Sequence, residues 1–214
     1  LRKNRYPLRL QNGTLQGEGG TWLHEQAKEA SIITLGESHG TKEIPAIMSA
    51  LLDTLQAAGE MDYLALEVSP WTAGIMNDRL QKEGNVYTSF IQENPSAVPF
   101  YFLKRERDLV QNFVRNSTAE RPLWGLDQIF AFATSLALDR LDAIAPTKNA
   151  RQAVRRVRKA GDSLSSPALP KLPPSMPTPL MAYPPVAFDT LHAHFDGVEE
   201  AHQILDEITT SIEI

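Results

Sequence analysis

The chain has no cysteine among its 214 residues, which excludes disulfides, thiolate metal sites and a cysteine nucleophile. It has no apolar run approaching the roughly 18 residues that a membrane-spanning helix requires, so no membrane span is expected. Positive charge is also scarce. The 21 Lys and Arg stand against 26 Asp and Glu, for a formal net charge of −5. That balance argues against nucleic-acid or anionic-membrane partners, because such binders neutralise phosphates with an excess of cations. The absence of cysteine leaves the compartment open, since it suits an exported bacterial protein as well as a cytoplasmic one. The first residues, Leu1-Arg2-Lys3, include no methionine. The expectation is that the native start, and any export signal with it, has been removed.

What is present is an ordinary globular composition, 42% hydrophobic and 22% charged, enough for one sizeable core. Apolar spacing predicts a buried strand over Ser31–Leu35, then a helix over Lys42–Ala58 with Gly59 as its stop. A second strand, Tyr63–Leu66, precedes a helix from Pro70 to about Gln81, and a helical stretch covers Pro99–Asn116. A third strand over Pro122–Leu126 leads into a helix over Phe132–Ala145. Such alternation predicts an α/β fold: a mostly parallel central sheet with helices on both faces, a three-layer sandwich, closed by a long C-terminal helix. Residues 1–145 are read as the core domain. Residues 146–187 are read as a basic helix followed by a proline-rich loop or lid. Residues 188–214 are read as the C-terminal helix, with a seam through Phe188, Leu191, Phe195, Val198, Leu205, Ile208 and Ile212, unfinished at Ile214.

The residues that point to chemistry stand at the strand ends. Gly36-Glu37-Ser38-His39-Gly40 comes directly after the first strand, placing a carboxylate and an imidazole on a tight turn into a helix. Glu67 ends the second strand and Asp127 the third. If the strands are neighbours, Glu37, His39, Glu67 and Asp127 meet in one cleft, where an imidazole and several carboxylates can divide the general base and general acid roles. His39 is the candidate base that activates water, with Glu37 orienting the ring and Glu67 holding the water or receiving a proton. Asp127 has a plainer alternative as a helix cap, and Glu43 suits the first turn of its helix. His192 and His194, two apart on a helix, point away from each other and cannot clasp one ion. His202 falls on the apolar seam as a core histidine or one facing the cleft. The run Arg151–Lys159 alternates with Val154, Val157 and Ala160, the pattern of a solvated helix face.

Leu35-Gly36-Glu37-Ser38-His39-Gly40, Leu64-Ala65-Leu66-Glu67-Val68 and Leu123-Trp124-Gly125-Leu126-Asp127-Gln128 resemble the successive motifs of the erythromycin esterase-like proteins and their relatives in the ChaN/TIKI superfamily. The resemblance covers about residues 14–145. It implies an α/β sandwich with the site over the strand ends, and hydrolysis of a small-molecule ester, lactone or peptide by water activated at His39, with Glu37 and Glu67 as the essential acids. In this reading no cofactor is required. TIKI-type relatives imply a metal-dependent version, for which Glu37, His39, Glu67 and Asp127 are plausible divalent-ion ligands. The spacing of Glu37 and His39, with Ser38 alone between them, is that of the haem-uptake ChaN branch, and this implies an alternative: a haem or iron binding protein without hydrolytic activity. The helix after the motif reads Ala46-Ile47-Met48 where the esterases carry an arginine, so Lys42 is the candidate cationic stabiliser. Family members also carry a further histidine in the C-terminal half, and this chain stops at Ile214 where that half would continue.

Overall fold

The structure is a computed structural model describing residues 5–36, 40–82, 84–95, 97–163 and 178–213. It corrects the expected fold class. The described residues are 60% helical, and among them the β-structure is limited to two two-stranded sheets, one antiparallel and one parallel, with no extended parallel sheet at the centre.

The antiparallel pair is a hairpin of β1 (Arg9–Gln11) and β2 (Thr14–Gln16), turned by Asn12 and Gly13 at φ 51° and 76°. That pair of left-handed residues is what a two-residue hairpin with the right twist demands. Helix α1 (Glu18–Glu29) comes next. The expected strand Ser31–Leu35 does not form. Ile33 packs against the small cluster of Ala27, Leu51 and Leu55, whereas Ile32 is 81% exposed. Among the described residues no backbone hydrogen bond ties this segment to a neighbour. A strand inside a three-layer sandwich needs cover on both faces; here only one residue of the run finds cover.

The parallel pair joins β3 (Leu64–Leu66) and β4 (Leu123–Gly125), with Leu64 opposite Leu123 and Leu66 opposite Gly125. Leu64, Leu66 and Leu123 are buried, while Ala65 and Trp124 on the other face are exposed. Tyr63 and Trp124 lie against each other on that open face, ring centroids 4.9 Å apart. The ribbon is therefore covered on one side, by helices α3 (Pro70–Leu80), α4 (Val86–Glu93) and α5 (Lys104–Asn116), through Met76, Tyr87, Phe90, Val110 and Phe113. Helix α2 (Glu43–Ala57) packs on α5 and on the hairpin.

A second cluster unites Trp71 of α3 with α6 (Thr134–Ile144), α7 (Lys148–Ser163), α8 (Pro185–His192) and α9 (Glu199–Glu213), around Leu138, Leu141, Val154, Phe188, Phe195 and Leu205. The two clusters meet at Ile75 and Leu136. On the polar side of α7, Arg155 and Arg158 pair with Asp142 and Asp139 of α6 at 3.1 and 2.6 Å. Most of the proline-rich stretch, residues 164–177, lies outside the described residues. The chain after it is packed: Leu180 and Tyr183 are buried in the second cluster, and α8 starts at Pro185, a residue well suited to a helix's first turn. The expected single C-terminal helix is two. Gly197, at φ 75°, turns the chain between α8 and α9 while Phe195 stays buried. Among the described residues no helix is long and apolar enough to cross a membrane.

Helix α3 connects these parts. Ser69 caps it, its Oγ accepting the Thr72 N–H at 3.2 Å, and Pro70 occupies the first turn. Asn77, 1% exposed, clasps the outer edge of β4. Its Nδ2 donates to the Leu123 carbonyl at 2.9 Å and its Oδ1 accepts the Leu123 N–H at 3.1 Å. Asn77→Ala leaves a buried donor and a buried acceptor unmet and is expected to cost about 2–3 kcal/mol. Urea unfolding checks this; a loss under about 0.5 kcal/mol would show the clasp to be dispensable.

Candidate functional site

Of the four residues singled out at strand ends, Glu37 and His39 lie outside the described residues. The other two are placed, and they are not together. Glu67 comes directly after β3 and lines a small cavity of about 130 Å³ with Leu35, Pro45, Met48, Tyr101 and Glu106 among its walls. Asp127 lies in a separate depression of about 540 Å³ with Pro70, Ile129, Asp206, Glu207 and Ser211. Backbone pairing continues beyond β4, the Leu126 N–H donating to the Leu66 carbonyl at 3.1 Å and the Asp127 N–H to the Val68 carbonyl at 3.0 Å. Asp127 itself is exposed, and its Oδ1 accepts the N–H of the adjacent Gln128 at 2.7 Å.

The small cavity is the place where carboxylates meet apolar walls. Glu67 is exposed at its mouth. Glu106 is only 6% exposed, a rare state for a glutamate, and sits in the first turn of α5. Tyr101, 9% exposed, enters from the loop before α5. Phe100 next to it has φ 63°, a left-handed backbone that a bulky side chain adopts only when its surroundings impose it. Behind Tyr101, the buried Tyr87 hydroxyl donates to the Tyr101 carbonyl at 3.4 Å, and burial pushes the Tyr87 phenol up beyond its ordinary range. Leu35, in the cavity wall, is the residue from which the Gly36–Gly40 motif starts. On the far side of that motif the Thr41 hydroxyl oxygen is buried without a hydrogen-bond partner among the described residues.

Glu106 and Tyr101 were not among the residues singled out by spacing. Glu106 did leave a signal: it continues the buried stripe of α5 through Leu109, Val110 and Phe113, at intervals of three, four and seven. A glutamate on the apolar stripe of a helix is out of place structurally. Tyr101 left none, because its position depends on the backbone turn at Phe100.

A larger depression of about 670 Å³ runs between α3, β4 and α9, but its charged side chains satisfy each other. Arg121 pairs with Asp78 at 3.0 Å, and Arg140 with Glu200 through two contacts of 2.7 and 2.5 Å that hold the Glu200 carboxyl below its usual range. His192 and His202, the latter read as a core histidine or one facing the cleft, face each other across α8 and α9.

In the Asp127 depression, Glu207 Oε1 and Oε2 accept the Trp71 N–H at 2.8 and 3.1 Å, tying α9 to the start of α3. Burial nonetheless raises the Glu207 carboxyl above its ordinary value, against the lowering effect of bonds from Ser69, Gln203 and Trp71. A carboxyl raised on folding favours the folded state while protonated, and that contribution disappears as pH rises through the folded value. Glu207→Gln keeps an acceptor for Trp71 and removes the titration. Relative to wild type, the variant should gain stability as pH rises from about 4 to 7; chemical denaturation across that window tests it, and a pH-independent difference would contradict the burial argument. Comparison of the chain with known proteins finds no matching family model, no matching curated protein and no matching solved structure.

Proposed function

We propose that this chain is a hydrolase in which His39 activates water for attack on an ester, lactone or amide carbonyl. Glu37 orients the imidazole, and Glu67 holds the water. One observation carries the reading. Glu67 and the buried Glu106 line one small cavity past the end of β3, and the wall of that cavity includes Leu35, two residues ahead of Glu37. Its volume of about 130 Å³ suits a water and a reacting carbonyl, with the remainder of a substrate outside. Leu35, Met48, Leu66 and Leu109 give the cavity an apolar lining, which lowers the local dielectric and strengthens charge interactions there. Tyr101 also lines this cavity, and Asp127 lines another depression. In the reaction, a water proton passes to His39 as the oxygen bonds to the carbonyl carbon. Collapse of the tetrahedral species then expels the alcohol or amine, which takes that proton back.

A panel of chromogenic esters and lactones tests the proposal. His39→Ala is expected to lower kcat by about 10²–10⁴-fold, and Glu67→Gln by at least about tenfold, with thermal midpoints close to wild type. Unchanged turnover in His39→Ala would sink the mechanism. Added divalent metal and a chelator separate the metal-dependent version. Absence of turnover on every substrate, together with a Soret band on haem titration, would transfer the site to the haem-binding reading.

A further inference from the structure

The imidazoles of His192 and His202 meet with their Nδ1 atoms 3.1 Å apart, ring centroids 5.3 Å apart and ring planes 25° from parallel. They belong to different helices, α8 and α9, joined by the short turn through Gly197. The Nε2 of His192 faces Asp206 Oδ1 at 3.6 Å, and Asp206 is one helical turn beyond His202 on α9. His192 is partly open to solvent, its side chain 31% exposed.

We propose that His192 and His202, braced by Asp206, form a transition-metal site that takes Cu²⁺, Ni²⁺ or Zn²⁺ through both Nδ1 atoms. The spacing suits it. With metal–nitrogen bonds of about 2.0–2.1 Å, nitrogens 3.1 Å apart subtend an angle of about 100° at the ion, between the square-planar and tetrahedral values. The rings now point almost head to head, and a swing about the broad χ2 well brings both lone pairs onto one ion. Asp206 stands where metal-bound histidines use an outer partner: from 3.6 Å its carboxylate favours the proton at Nε2 electrostatically and leaves Nδ1 as the ligand. Without metal, the same contact is a hydrogen bond in which one Nδ1 must carry a proton. Metal binding moves that proton to the Nε2 of the same ring through solvent, with no net change in charge on the pair. Water completes the coordination on the open side. Imidazole ligands disfavour Mg²⁺ and Ca²⁺, and affinity should rank Cu²⁺ above Ni²⁺ and Zn²⁺. The bound ion would clip α8 to α9 beside the buried Phe195 and Leu205.

Thermal unfolding of the full chain tests the site, with Cu²⁺, Ni²⁺ and Zn²⁺ beside Mg²⁺ as control. At a tenfold excess over Kd the midpoint should rise by about 3–5 °C, and Mg²⁺ should have no effect. His202→Ala should abolish the rise, and Asp206→Asn should weaken Kd by about tenfold. If His202→Ala fails to fold, electron paramagnetic resonance of wild-type protein with one equivalent of Cu²⁺ decides: two coordinated nitrogens lost together in His192→Gln are expected. No metal-dependent shift in folded wild type, a shift that survives in His202→Ala, or copper with fewer than two nitrogen ligands would each overturn the site. None of these readouts depends on hydrolysis.

Discussion

The approach of the Ser69–Pro70 backbone to Gly125 is the constraint on which the rest of the molecule depends. A Cβ on Gly125 would stand inside the backbone of Ser69 and Pro70, so the end of β4 and the start of α3 can touch only because residue 125 has no side chain. From that contact α3 is aimed. One of its sides sends Ala73 and Met76 into the cluster under β3 and β4, while Trp71 enters the cluster of α6 to α9. Glu207 fastens the start of α3 from the opposite direction through the Trp71 N–H. The two cores are thus organised around one eleven-residue helix.

The helices were largely legible in the sequence. Ser69-Pro70 and Gly59 mark helix ends by their own backbone chemistry, and the stripes of α2 and α5 are periodic enough to read directly. Two of the expected strands form, as the parallel pair β3 and β4, but the absence of an extended central sheet was not legible, because a run such as Ile32-Ile33-Thr34-Leu35 records a demand for burial but not which neighbour meets it. Ile33 meets it against α1 and α2 without a strand, and the expected central sheet is thereby lost. The break between α8 and α9 was hidden for a related reason. Phe195 and Val198 keep the apolar seam continuous through the turn at Gly197.

The candidate site divides along similar lines. Glu67 was visible because a carboxylate ending an apolar run is conspicuous, and Asp127 was visible for the same reason although it lines a different depression. Glu106 required the opposite sensitivity, to a charge on a stripe that should be apolar. A side chain of this kind is costly to bury and is retained where its oxygens have a use. Tyr101 depends on a single strained residue, Phe100, and strain is a property of three-dimensional fit that no spacing rule carries.

The clasp between Asn77 and Leu123 has a consequence for how the molecule behaves among its neighbours. An edge strand offers its unpaired amide and carbonyl groups as a template on which another chain can add, the first step toward intermolecular sheets. At Leu123 both groups are already occupied by a side-chain amide that imitates the next strand. On the β4 side the parallel ribbon is thus closed by one asparagine, and a foreign strand could dock along β4 only by first displacing a buried residue of the native helix.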